Sequence, residues 1–298
     1  MMQRLVNGSI RRLLGVINLA PSRRPPFLRK LYPFRPDLRI QKLLGSELTA
    51  PTLWRATDAL PVAEGGLAHL FFTTPNVHKW LHYLSVYEDV LRHLVGRQIR
   101  FLEIGVAGGG SLEMWRRYFG PAATIVGIDT EAACRQFDHP KRNIDVRIGK
   151  QQDVAFLRAI IDELGPFDVI VDDGSHLTSH MIESFRFLFL HGLADGGVYL
   201  AEDTHACYWT LFRTGPVSFV DFAKGLVDLM HAHYQDVTGW EVFRFGSDQR
   251  RSTFTVPLLT LLLERVEFYD SLVVLHRAKV PREVPVNVRM PPTAATSG

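Results

Sequence analysis

Residues 99–111 read IRFLEIGVAGGGS: a short apolar run, then four glycines within six residues, then a serine. The run reads as a buried strand, and the glycines after it let backbone approach a ligand closely. Segment 111–119 continues as a short helix, so its free N–H groups face the turn and suit a carboxylate or phosphate. Two familiar patterns fail on spacing. The dinucleotide fingerprint G-x-G-x-x-G is incomplete from either Gly105 or Gly108, which excludes a nicotinamide oxidoreductase, and no Gly-Lys-Ser/Thr follows for a phosphate-binding loop. A turn kept for packing alone is the plain alternative.

Outward from that turn, strands and helices alternate. Segment 77–95 reads as a helix, 124–129 (TIVGID) as a second strand and 144–148 as a weaker third. A helix over 154–164 stops at Gly165-Pro166, and 167–173 (FDVIVDD) is a fourth strand, apolar enough to be covered on both faces. Segment 180–190 is a helix, 197–202 (GVYLAE) a fifth strand and 217–233 a further helix. Residues 266–268 and 272–276 straddle Tyr269-Asp270-Ser271 as an antiparallel hairpin, while 238–256 fits either a strand near 240–245 or an insertion. The result is an α/β chain with a mostly parallel seven-stranded sheet and a closing antiparallel hairpin. The ligand crevice of such a sheet lies beyond the carboxyl ends of its strands. The body is expected over 71–280, with a basic N-terminal arm over 1–70 and a loose, Pro-rich tail over 281–298.

Carboxylates gather where the strands should end. Glu103 lies in the first strand, Asp129 ends the second, Asp172 and Asp173 end the fourth, and Glu202 and Asp203 follow the fifth. So many negative charges in one crevice repel one another unless a cation sits among them. Oxygen ligands of this kind suit Mg²⁺ or Ca²⁺ rather than zinc. His176, three residues past Asp173, is placed to act as general base on a substrate hydroxyl beside the ion. Taken singly, each acidic pair also reads as a solvated turn. No H-E-x-x-H accompanies His176 and His180, and no Gly-x-Ser-x-Gly occurs, which sets aside zinc proteases and the hydrolase elbow. Cys207 reads as a buried thiol, and Trp80, Tyr208 and Trp209 as core or as stacking groups for a sugar or adenine.

Charge is unevenly spread. The 298 residues carry a net +3, yet residues 1–45 hold ten Lys or Arg against Asp37 alone, leaving −6 on the rest. Such an arm suits an anionic membrane face, the body of the protein or a second subunit; its few aromatics make nucleic acid the weakest partner. Within it, segment 9–19 (SIRRLLGVINL) has the pattern of a short interfacial helix and makes a poor signal peptide. No stretch reaches the roughly 20 apolar residues of a membrane span. Two cysteines make no disulfide framework, so the expectation is a soluble cytoplasmic protein, with contact at the inner membrane face through the arm.

On these residues the chain resembles the metal-dependent sugar O-methyltransferases of macrolide biosynthesis, the mycinamicin and macrocin enzymes, together with rhamnosyl O-methyltransferase and cephalosporin-hydroxylase-type relatives. These are class I methyltransferases of Rossmann-like fold that use S-adenosyl-L-methionine. The matching stretches are 79–83 (KWLHY) with Tyr87-Glu88, 101–115 (FLEIGVAGGGSLEMW), 126–129 (VGID), 165–176 (GPFDVIVDDGSH), 196–209 (GGVYLAEDTHACYW) and 267–277 (EFYDSLVVLHR). The resemblance implies that Asp173, Glu202 and Asp203 hold Mg²⁺ and that His176 takes the proton of the acceptor hydroxyl. It implies cofactor contacts from Glu103, Gly105, Ser111 and Asp129, with Gln151 on the adenine side and Asp172 toward the methionine end. The implied acceptor is a sugar hydroxyl on a glycosylated natural product or glycolipid, and the implied assembly a homo-oligomer. A catechol- or phenol-type methyltransferase and a non-catalytic methyltransferase-like binding module are the alternatives. Lys150 stands where relatives have an acid before Gln151, Thr204-His205-Ala206 departs from the pattern after the Glu-Asp pair, and the basic arm has no counterpart.

Overall fold

The computed structural model describes residues 38–53, 65–215 and 217–290. Segment 9–19 and the last eight residues of the expected tail lie outside the described residues. In chain order the helices and strands are α1 (Leu38–Thr49), α2 (Gly66–Thr73), α3 (Leu81–Leu91), β1 (Arg100–Ile104), α4 (Gly110–Phe119), β2 (Thr124–Asp129) and β3 (Ile144–Ile148). There follow α5 (Val154–Leu164), β4 (Phe167–Asp172), α6 (Thr178–His191), β5 (Leu193–Ala201), α7 (Phe219–Met230), α8 (Leu258–Leu262), β6 (Leu263–Tyr269) and β7 (Leu272–Arg277).

The sheet runs β3-β2-β1-β4-β5-β7-β6, and β7 alone runs opposite to the other strands. The chain starts the sheet at its centre with β1, goes outward to β3, then returns to add β4 on the other side. The strand order therefore reverses between β1 and β4, and a crevice opens above that point. Alternation along the strands sorts side chains onto two faces. Phe101, Val169, Val171, Val198 and Leu200 pack with Tyr83, Tyr87 and Trp115 of α3 and α4. Leu102, Ile104, Ile170 and Tyr199 pack with Leu157, Met181, Phe185 and Phe219 of α5, α6 and α7. Two helix starts are set by side-chain caps, each worth about 1 kcal/mol. Asp153 accepts from the amides of Ala155 and Phe156, and Ser218 forms a reciprocal capping box with Asp221.

Some boundaries differ from the sequence expectation. The helix anticipated from residue 77 starts at Leu81, because Trp80 is extended (φ −70°, ψ 136°) and the chain before it runs across the strand ends. In segment 238–256 the structure has a single 3₁₀ turn, Trp240–Phe243, in place of a strand. The tail anticipated from 281 is held over its first residues. The guanidinium of Arg282 donates to the carbonyls of Met230, Thr260 and Leu263, and Asn287 exchanges backbone hydrogen bonds with Phe243 and Phe245. A buried carbonyl must find a donor, and the Arg282 Nη1 lies within reach of all three.

Candidate active site

The strand alternation that builds the core also decides which acids meet. Glu103, Asp173 and Glu202 continue the face that carries Phe101, Val171 and Leu200, so all three emerge toward α3 and α4 at the carboxyl ends. Between them lies the Lys79 ammonium, 3.2 Å from Glu103 Oε1, 2.6 Å from Asp173 Oδ2 and 2.9 Å from Glu202 Oε1. Glu103 and Glu202 are buried, and the Lys79 side chain is only 1% exposed. Burial alone would discharge Lys79, but Asp173, Glu202 and Glu103 outweigh it and hold its pKa well above the ordinary value. Burial pushes the Glu202 carboxyl up to about 8, helped by Asp173 and opposed by Lys79.

Two of the anticipated cofactor residues are engaged within the protein. Lys79, Ser111 Oγ at 2.6 Å and Trp115 Nε1 at 3.2 Å bind the Glu103 carboxylate in the interior. Asp172 falls on the opposite face from Asp173, as period-two alternation requires. It is buried and accepts from Tyr199 Oη at 2.6 Å, Ser184 Oγ at 2.9 Å and Gln151 Nε2 at 3.0 Å. Burial raises its pKa and these three donors oppose the rise. Asp172 thereby anchors Gln151.

Nearer the surface, Asp173, His176 and Asp203 converge. His176 Nε2 lies 3.8 Å from Asp173 Oδ1 and 3.7 Å from Asp203 Oδ2. These spacings are too long for direct hydrogen bonds and fit donor atoms that share a small ion or a water. One ligand atom from each residue falls within 4.8 Å of the others. The two carboxylates offer hard oxygens that fit a divalent cation such as Mg²⁺, with the imidazole beside them. Glu202, the third carboxylate anticipated there, has both oxygens on Lys79 at 2.9 and 3.0 Å. Both His176 (φ 54°) and Asp203 (φ 53°) adopt the left-handed conformation that non-glycine residues avoid. Such strain persists only where the surroundings enforce it. Tyr83 is one enforcing group: its hydroxyl bonds Asp203 Oδ1 at 2.8 Å and Ser271 Oγ at 2.7 Å, and Ser271 Oγ also bonds His205 Nδ1.

Beside this acidic cavity of about 330 Å³ lies a second, of about 560 Å³, lined by Gly105, Asp129, Lys150, Gln151, Gly174 and His180 among others. The glycine turn is indispensable to its wall. Gly105 has φ +98°, and a Cβ there would lie 2.2 Å from the Asp173 carbonyl oxygen. Gly174 is likewise closed against Gln151 Oε1, which accepts from the Ser175 amide. Asp129 spans the turn, accepting from the amides of Val106 (2.9 Å), Ala107 (3.0 Å) and Glu131 (2.9 Å). Burial would raise its pKa, yet the three amides prevail and hold it below the ordinary value. A larger apolar groove of about 730 Å³, lined mainly by Phe and Leu of α6, α7 and α8, lies away from these groups.

Sequence reasoning missed Lys79, Tyr83, Ser184, Tyr199 and Ser271 as parts of this machinery. Lys79 carried no local signal beyond its place in KWLHY, and the others act only through the folded topology. Trp80 and Trp209, left between core and stacking roles, are about half exposed at the rim. With His205 and Phe212 they form a chain of rings at centroid spacings of 5.3, 4.7 and 6.0 Å that ends 6.1 Å from His176. Cys207 is buried, as read.

Sheet order, glycine turn and strand-end carboxylates together define a Rossmann-like methyltransferase fold. The particular likenesses are to sugar O-methyltransferases, as the sequence motifs implied. The chain is 38% identical over 171 residues to L-olivosyl-oleandolide 3-O-methyltransferase of Streptomyces antibioticus, an overlap of 51% of this chain and 43% of the relative. It is 34% identical over 221 residues to mycinamicin VI 2''-O-methyltransferase of Micromonospora griseorubida, 68% of this chain and 52% of the relative. Among solved structures, MycE methyltransferase from the mycinamycin biosynthetic pathway, in complex with Mg, SAH and mycinamycin VI, superposes with a TM-score of 0.61 at 26% identity, covering 78% of this chain and 58% of that one. The chain thus spans about half the length of the curated relatives it matches. No protein-family model matches it.

Proposed function

We propose that this chain is an S-adenosyl-L-methionine-dependent, Mg²⁺-dependent O-methyltransferase that acts on a sugar hydroxyl of a glycosylated natural product. The observation that carries the reading is the meeting of His176 with Asp173 and Asp203 directly across the Gly105 turn from the larger cavity. When bound, the cofactor supplies a methyl group on a sulfonium and the cation lowers the pKa of a coordinated hydroxyl.

The protein's own residues do the remaining work. Asp173 and Asp203 would hold the cation, and His176 Nε2, which lies between their carboxylates, would take the proton of the acceptor hydroxyl. Gly105 and Gly174 keep the wall open, Asp129 offers carboxylate oxygens to ribose hydroxyls, and Lys150 and Gln151 border the adenine side. The rim of Trp80, His205, Trp209 and Phe212 presents apolar ring faces to the acceptor, a surface suited to the C–H faces of a pyranose and an attached apolar aglycone.

Calorimetric titration of S-adenosylhomocysteine, followed by methyl transfer to a panel of rhamnosides and macrolide glycosides with Mg²⁺ or EDTA, tests the reading. Micromolar binding and Mg²⁺-dependent methylation of at least one glycoside are expected. Absence of S-adenosylhomocysteine binding would sink the assignment, and methylation of catechols in preference to glycosides would move it to the phenol-type class.

A further inference from the structure

Lys79 lies in the crevice, yet neither the cofactor nor the acceptor chemistry described above uses it. A buried ammonium needs a reason, since taking it out of water costs several kcal/mol unless partners repay it. Two of its partners, Glu103 and Glu202, are fully buried, and the third, Asp173, reaches it from the outer layer. Glu103 is shared with Ser111 and Trp115, whereas Glu202 gives Lys79 both oxygens and Asp173 gives it one. The Asp173 carboxylate is therefore divided: Oδ2 is 2.6 Å from the ammonium while Oδ1 faces His176 and, beyond it, Asp203.

We propose that Lys79 is a tethered cation that neutralises the deep carboxylates in place of a metal, and thereby sets how weakly the outer site takes up a divalent ion. With the ammonium present, Glu202 is held away from the ion and a unit positive charge sits one carboxylate from it. Both effects oppose uptake, because a charge a few ångströms away is poorly screened in a buried site. Without it, two carboxylates turn to whatever cation enters. The fold then comes to depend on that cation, where the native chain does not. Lys79 is a positioning residue in this scheme and touches no reacting atom. The inference rests on the metal-binding reading of Asp173 and Asp203 beside His176.

Mn²⁺ alone is the probe, measured by electron paramagnetic resonance and calorimetry on the full chain without cofactor or acceptor. Lys79→Met is expected to bind Mn²⁺ at least tenfold more tightly than the native protein. Its melting temperature should fall in EDTA and recover with Mn²⁺, whereas the native melting temperature moves little. Should Lys79→Met fail to fold, Lys79→Met/Glu103→Gln removes one charge of each sign and leaves Asp173 and Glu202 free; it too should bind Mn²⁺ at least tenfold more tightly. Native-like or weaker Mn²⁺ binding in the folded double variant, with the native protein binding normally, overturns the role of Lys79 and leaves the methyltransferase reading intact. No Mn²⁺ binding in any of the three proteins overturns both.

Discussion

The two cavities of the crevice share Gly105, Ala107, Asp173 and Gly174 as a common wall, yet they are built by different means. The larger is shaped by backbone: a left-handed glycine, a turn stapled by Asp129, and Gly174 closed on Gln151. The smaller is shaped by side chains brought together from distant segments. Lys79 meets Glu202 across 123 residues and Tyr83 meets Ser271 across 188. A backbone cradle tolerates changes in neighbouring side chains but not the addition of a Cβ. A charge cluster tolerates nothing that unbalances it, because each member is another's counter-ion. Variants that strike one cavity should therefore leave the other nearly untouched.

The largest effect is expected on the side-chain half. His176→Ala should lower turnover by about 10²–10⁴-fold, the range for a lost general base. The same variant should bind S-adenosylhomocysteine within threefold of the native protein, by calorimetry. A parallel loss of cofactor affinity would show that the two halves are one site and break the comparison.

Gly105→Ala attacks the wall itself. Its Cβ would need space occupied by the Asp173 carbonyl, and a φ of +98° is strained for any L side chain. S-adenosylhomocysteine affinity should fall about 100-fold, or 2.7 kcal/mol. Since the displaced atom belongs to Asp173, Mn²⁺ binding should weaken as well, which makes this the one substitution expected to cross between the halves. Trp209→Ala strikes only the rim. It should raise KM for the glycoside acceptor about tenfold with little change in kcat or in cofactor affinity, as loss of a uniform binding contact does. A fall in kcat alone would place Trp209 nearer the reacting atoms than the ring chain indicates.

The same contrast explains what could be read before the structure. Strands β2 and β3 and helix α5 match their sequence boundaries residue for residue, because an apolar run closed by Asp129, Ile148 or Gly165-Pro166 is a local signal. The glycine turn and Asp129 were legible for the same reason. Adjacent acids were not. Asp172 and Asp173 look equivalent in DDGSH, and only the phase of β4 sends one to Tyr199 and Ser184 and the other to Lys79. That phase could have been taken from Val169 and Val171 packing on one face, but which face bore the crevice was a matter of topology. Nor does the sequence around Glu103 foretell that Trp115 and Ser111 enclose its carboxylate. Lys79 lies in an extended stretch that sequence periodicity assigned to a helix, so its approach to three strand ends had no local trace.

The smallest expected effect separates the halves by pH. Asp129→Asn keeps one acceptor oxygen, enough for the Val106 and Ala107 amides on one side or the Glu131 amide on the other, and gives up the second acceptor together with the charge that makes those bonds strong. S-adenosylhomocysteine should bind a few-fold more weakly, and Mn²⁺ affinity should stay within twofold. Because the Asp129 pKa is depressed in the folded state, the unfolded chain takes up this proton first as pH falls. Its contribution to stability is complete above the ordinary Asp pKa of about 3.9 and is lost as pH drops through the lower folded value. Urea denaturation followed from pH 6 to pH 3 should therefore show the native protein more stable than Asp129→Asn at pH 6 and the gap closing below about pH 4. Taking the difference between the two proteins cancels carboxylates distant from Asp129, whose titration is common to both. A gap that stays constant across the range would mean that Asp129 holds the turn through hydrogen-bond geometry alone. The backbone half would then owe nothing to charge, and its contrast with the acidic half would be complete.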